Sequence, residues 1–258
     1  MFTSIKLGSP FGISVYIHPA FWLLPIFYLF SNLKATSLFH SILEVGLLFA
    51  VFFCVILHEF GHALAARFFG IQTRDITIYP MGGVARLEKM SHDPFEELVI
   101  ALSGPAVNFL IFFLLLPICI QFSPTPFDFE NLIPPNSFLG SLNHYLKMLM
   151  FSNLGLLIFN LLPIFPMDGG RVLRALLNLA VGFSNATIIS VTLGNLGAIF
   201  LVFLGLFSSN YILVLLAFFV FIAGRQELLL LKNKYNRDTN FNFTSAWASS
   251  PSNFSTLT

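Results

Sequence analysis

The sequence predicts an all-α membrane protein with about six transmembrane helices and a small membrane-associated β-hairpin after the second. Three observations carry that prediction. Of 258 residues, 56% are hydrophobic and 10% charged, with a mean hydropathy of +0.83. A soluble domain carries about 25% charge, so this chain has too little polar surface to cover itself in water. Six apolar stretches approach or exceed the roughly 20 residues that a helix needs to cross a bilayer. Between the second and third, the pattern changes from unbroken apolar to alternating.

The first stretch covers 14–32. The residues that lead into it, MFTSIKLGSPFGISVYIHP, hold one Lys and no clean apolar core or small-residue cleavage site, so they do not read as a signal peptide. The second covers 42–66 and contains VGLLFAVFFCVIL followed by LHEFGHALAA. Residues 71–90, IQTRDITIYPMGGVARLEKM, alternate β-branched residues on either side of Pro80 and Gly82–Gly83, which predicts two short strands and a turn. The third and fourth stretches are 96–121 and 141–163, joined by a Pro-rich outer loop over 123–139. Residues 169–185 are too short to cross and predict a short helix near the membrane surface. The fifth and sixth stretches, 187–207 and 211–231, are separated by Ser-Ser-Asn and form an antiparallel hairpin. These elements make one domain over 1–235. From 236 to 258 the chain is rich in Ser, Thr and Asn, and a disordered cytoplasmic tail is expected.

Lys and Arg set the orientation. With the N-terminus inside, Lys6, Arg67, Arg74, Arg86, Lys89, Arg171, Arg174, Arg225, Lys232, Lys234 and Arg237 all lie on the inner side, leaving Lys34 and Lys147 outside. Both termini are therefore expected in the cytoplasm. A net charge of +1 argues against nucleic acid as an electrostatic partner. The two cysteines, Cys54 and Cys119, sit in apolar runs and make neither a disulfide framework nor a cysteine zinc site. Cys54 shares a helix face with His58 and reads as a small apolar filler.

Three ionisable groups interrupt the second stretch. His58 and His62 are four residues apart, so on a helix they lie on one face and can offer two imidazoles to one metal ion. Glu59 beside them is placed to act as a general base on water, the H-E-x-x-H arrangement. The bland alternative is a pair of buried, hydrogen-bonded histidines with a neutralised Glu59. Ionisable groups inside a spanning helix are costly and functional by default, which favours the metal reading. A catalytic zinc site takes a third protein ligand. Asp168, in NLLPIFPMDGGR, reaches the same leaflet at the end of the fourth stretch. Pro163, Pro166, Gly169 and Gly170 keep this segment out of regular helix, which is tolerated at membrane depth where the backbone lines a cavity. Asp168 could instead cap the next short helix; beside H-E-x-x-H the ligand reading is preferred.

Four motifs together resemble the site-2-protease-type intramembrane zinc metalloproteases: H-E-F-G-H at 58–62, S-G-P-A-V-N at 103–108, N-L-L-P-I-F-P-M-D-G-G-R at 160–171 and Y-P-M-G-G-V-A at 79–85. The likeness covers roughly residues 10–230. It implies His58, His62 and Asp168 as ligands of one Zn2+ ion, Glu59 as catalytic acid and base, and a transmembrane protein as substrate, cut within or next to its membrane segment. I-H-P-A-F at 17–21 is similar to the branch that includes the bacterial sporulation-factor proteases, and a bacterial plasma membrane is the expected location. That branch often carries a C-terminal cystathionine-synthase-type domain, and neither that module nor an inserted PDZ-like domain is expected here.

The remaining polar groups leave alternatives open. Asn108 and Asn160 each suit either an oxyanion contact or helix–helix hydrogen bonding, with the structural role preferred for Asn160. Gly82 and Gly83 suit close approach of a substrate added as a strand, or an ordinary surface hairpin. Gly104 and Pro105 suit close helix packing, and His18 reads as an interfacial residue rather than a fourth ligand. The rival to the enzyme is a non-catalytic zinc-binding membrane protein, which would not need Glu59.

Overall fold

Alternating β-branched residues form strands on both sides of the first helical excursion. The computed structural model describes residues 4–32, 38–89, 91–122 and 138–248. In it β1 (Ile5–Gly8), β2 (Ser14–Ile17), β3 (Thr73–Tyr79) and β4 (Gly82–Leu87) make one mixed sheet in the order β1-β2-β3-β4. The expected hairpin is β3–β4, antiparallel, with Thr77 opposite Val84 and Tyr79 opposite Gly82. β2 pairs parallel to β3, with Val15 opposite Ile76 and Ile17 opposite Ile78. A parallel pair needs a crossover, and here it consists of α1 (Leu23–Asn32) and α2 (Leu38–Phe68). The inward residues Val15, Ile17, Ile76 and Ile78 are buried with Phe21 and with Phe60 and Ala63 of α2.

This corrects two expectations. The protein is mostly helical but not all-α, and the stretch 14–32 is not one spanning helix. Its first residues, SVYI, form β2, Pro19–Trp22 form a single 3-10 turn, and only Leu23–Asn32 are α-helical. Average hydropathy hid the period of two in SVYI. Pro19 also biases His18 toward extended backbone, which keeps a regular helix from starting there.

The rest of the chain is α3 (Pro94–Phe122), α4 (Phe138–Asn160), α5 (Asp168–Val181), α6 (Phe183–Phe207) and α7 (Tyr211–Ala248). Four helical stretches among the described residues are long and apolar enough to cross a membrane: Ser41–Phe68, Pro94–Phe122, Phe183–Phe207 and Tyr211–Asn233. α4 matches the fourth predicted stretch in position and carries His144, Lys147 and Asn153. The expected short helix is α5. α7 continues as helix through 236–248, where a disordered tail is expected from composition; a helix already nucleated by an apolar span extends at little cost per residue. The tail's last residues, 249–258, and the Pro-rich loop over 123–137 lie outside the described residues.

One buried charge cluster ties the helices together. Arg174 of α5, counted from sequence only among the inner-side cations, is fully buried. Its Nε donates to Glu97 Oε1 of α3 at 2.8 Å, and its Nη1 donates to Glu227 of α7. The guanidinium also sits 5.0 Å from the ring centre of Phe165 and 4.9 Å from that of Phe183. α5, whose first residue is Asp168, is thereby fixed against two other helices.

Candidate metal centre

Helical spacing puts His58 and His62 on the face of α2 that meets α3 and the start of α5. Both are buried. Each ring is held at Nδ1 by an oxygen: Asn108 Oδ1 lies 2.5 Å from His58 Nδ1, and the Ile100 carbonyl lies 2.7 Å from His62 Nδ1. Carbonyl oxygens only accept, so both Nδ1 atoms carry the proton. In the neutral rings the two Nε2 atoms are then lone pairs. They stand 3.1 Å apart, and Asp168 Oδ2 lies 3.2 Å from each.

With neutral rings three acceptors converge with no donor among them, an arrangement that suits a metal cation. A tetrahedral zinc ion with bonds of about 2.0–2.1 Å spaces its ligands roughly 3.3 Å apart, close to this triangle. The donor set of two imidazoles and one carboxylate is also a zinc set. His58, His62 and Asp168 are thus grouped as residues that could hold a metal ion. The capping alternative for Asp168 is not what the local geometry shows. Met167 occupies the N-cap of α5, and the Asp168 carboxylate turns toward the histidines.

The three groups open onto a cavity of about 410 Å³, also lined by Glu59, Gly82, Gly83, Asn160 and Arg171. β4 stands at the end of the sheet order and forms one wall. Its Ala85 amide donates to Glu59 Oε2 at 3.1 Å, which aims the carboxylate along the wall. Gly83 presses on the same side chain, since a Cβ there would lie 2.6 Å from Glu59 Cγ.

Of the other candidates, Asn160 lines the cavity. Asn108 does not. It is fully buried behind His58, and its amide nitrogen donates to Asn153 Oδ1 at 2.9 Å. The two roles left open for Asn108 thus resolve to hydrogen bonds between helices, whereas Asn160, read from sequence mainly as structural, stands at the cavity wall. His18, just past β2, accepts from the Ala20 amide and stacks on Tyr79, and it is not among the residues that line the cavity. The sequence reading passed over Asn153. The available signal was an amide in an apolar stretch, which by itself does not say what it bonds.

The model of peptidase family M50 matches residues 46–133 and 129–204, more than half of the chain and all three metal-ligand candidates. The chain belongs to peptidase family M50. Within that family it is similar to a zinc metalloprotease of Methanocaldococcus jannaschii, 35% identical over 226 residues, which cover 87% of this chain and 60% of that one. Stage IV sporulation protein FB of Bacillus subtilis is 27% identical over 67% of this chain and 51% of its own length. The chain thus spans about half to three-fifths of these relatives. A solved structure of a site-2 protease from Methanocaldococcus jannaschii superposes with a TM-score of 0.62 at 35% identity, covering 88% of this chain and 95% of that one. The M50 match and the membrane-crossing helices make this an integral membrane protein of a metalloprotease family.

Proposed function

We propose that this chain is an intramembrane zinc metalloprotease that hydrolyses a peptide bond within or next to a transmembrane segment of a membrane-protein substrate. The observation that supports this best is the convergence of His58 Nε2, His62 Nε2 and Asp168 Oδ2 on a cavity that Glu59 and β4 share. These three residues would hold one zinc ion. Bound there, zinc supplies a Lewis acid for the scissile carbonyl and lowers the pKa of a water to about 7.

The chain's own residues do the rest. Glu59, held by the Ala85 amide, takes the proton of the attacking water and passes it to the leaving amine. Asn160 at the cavity wall offers its amide N–H to the oxygen that gains charge. A substrate helix hides its carbonyls in its own hydrogen bonds and must unwind before it can be cut. β4 offers its outer edge to the unwound segment as an added strand, and its position along the cavity favours this over a plain surface hairpin.

The topology proposed with this function has six passes, with both termini cytoplasmic, a short first pass through α1 and a full one through α4. Placement of β2 and β3 in one sheet supports it, because the α1–α2 excursion then leaves and returns on one side.

Bound zinc per chain, measured on detergent-purified wild type and on Asp168→Ala and Glu59→Gln, tests the reading together with cleavage of a membrane-anchored substrate. The wild type should hold about one zinc per three-ligand site. Asp168→Ala should lose most of it, and Glu59→Gln should keep it while losing cleavage. A folded wild type without zinc, or Glu59→Gln with full activity, would remove the mechanism.

A further inference from the structure

We propose that Asn153 of α4 is a positioning residue for the metal site, fixing through Asn108 which nitrogen of His58 carries the proton. The inference rests on the zinc reading above and extends it to a third helix. It starts from a group whose role is unambiguous, the backbone carbonyl of Leu149, which can only accept. Asn153 Nδ2 lies 2.9 Å from that oxygen and 3.4 Å from Cys54 Sγ, so the amide nitrogen of Asn153 must be the end that faces them. Its Oδ1 is then forced toward Asn108, 2.9 Å from Asn108 Nδ2. Asn108 must donate there, so its own Oδ1 is turned to His58 Nδ1 at 2.5 Å. An oxygen at that place selects the Nδ1–H form of the ring and leaves Nε2 as a lone pair aimed at Asp168 and His62.

The chain of logic does not depend on how either amide is oriented in advance. Reversing Asn153 would set its oxygen against the Leu149 carbonyl. Reversing Asn108 alone would set nitrogen against nitrogen at His58 and oxygen against oxygen at Asn153. A flipped Asn108 would favour protonation of His58 at Nε2, which closes that ligand to a metal. Asn108 and Asn153 are both fully buried, so water does not compete for these bonds. His62 needs no such relay, because the Ile100 carbonyl fixes its ring directly. The polarity of the His58 ligand is therefore written into the backbone of α4.

The test is the zinc dissociation constant, by chelator competition on the full chain in detergent, for wild type, Asn108→Ala, Asn153→Leu, the double variant and Asn153→Asp. Asn108→Ala should weaken binding by roughly 10- to 100-fold, the range for a group that orients a metal ligand. Asn153→Leu should weaken it by about tenfold. The double variant should be no weaker than Asn108→Ala, because Asn153 then has nothing to orient. Asn153→Asp in its protonated form donates its O–H to the Leu149 carbonyl and keeps an acceptor facing Asn108; it should stay close to wild type, and it carries the test if the leucine variant does not fold. Wild-type affinity in Asn153→Leu, losses that multiply in the double variant, or an Asn153→Asp as weak as Asn108→Ala would each overturn the proposal. A wild type that binds no zinc would overturn the metalloprotease reading itself, and this inference with it.

Discussion

Gly104 and Gly83 show how the site depends on side chains that are missing. A Cβ on Gly104 would lie 2.2 Å from His62 Nε2 and 2.7 Å from His58 Nε2, on the two atoms that converge for the metal. Gly104→Ala should therefore abolish zinc binding, read as metal per chain, in a protein that still reaches the membrane. Gly83 borders the base instead, with the Cβ position 2.6 Å from Glu59 Cγ. Gly83→Ala should leave zinc in place and slow cleavage by roughly 100-fold, the scale of a displacement of about 1 Å at a reacting group. If both variants lost zinc equally, the separation of ligand and base roles would be wrong. At this scale the sequence was informative wherever spacing alone decides geometry. His58 and His62 share a face because a helix repeats every 3.6 residues, and Asp168 was found because few acids reach that leaflet. It was uninformative about direction: Asn108 and Asn160 are the same residue type in similar apolar surroundings, and nothing local says which amide faces the cavity. For Gly83 the sequence left substrate approach and a plain hairpin open, and it gave no sign that the atoms a Cβ would meet there belong to Glu59.

Elements were legible in proportion to how uniform their pattern is. α2, α3, α6 and α7 announce themselves as long apolar runs, and β3–β4 as alternation around a Pro and Gly turn. β1 and β2 were missed because each is four residues long and β2 is embedded in an apolar stretch whose average satisfies a helix. The packing of α5 was also hidden. Its Arg174 is in the sequence one more inner-side cation, yet the structure seats it between Glu97 of α3 and Glu227 of α7, partners far away in the chain. Removing one member of a buried ion cluster leaves the others uncompensated, at a cost of about 3–5 kcal/mol. Arg174→Leu should therefore lower the unfolding midpoint in detergent sharply. It should also reduce zinc per chain, because the helix it frees begins with Asp168. A variant with an unchanged midpoint and full zinc would mean that the close packing of Gly169 and Gly170 on the 161–165 backbone alone holds the ligand.

At the scale of the molecule, the proposed topology puts the site well inside the bilayer, reached from the cytoplasmic side. The stretch of α2 from His58 to Phe68 is roughly 15 Å of helix, about half of a hydrocarbon core about 30 Å thick. Three tertiary ties near the site lie at the end of the bundle that carries the sheet. β2 and β3 pair across the α1–α2 excursion, Asp168 meets the histidines after α4, and Glu227 of α7 meets Arg174 of α5. Arg67, Arg74, Arg86 and Lys89 lie at that same end, between the H-E-x-x-H helix and α3, and an excess of Lys and Arg marks the cytoplasmic face. Reporters fused before residue 1 and after residue 258 should both register as cytoplasmic, and one inserted near residue 130 should register outside. Cysteine labelling supplies an independent check: Cys54 and Cys119 are buried and should stay silent, so a single cysteine placed at exposed Met81 reports alone. It should be blocked by an impermeant reagent only when the cytoplasmic face is open. Labelling of Met81→Cys from the outside would invert the molecule and put the cavity mouth, β4 and the proposed path of the substrate on the opposite side of the membrane.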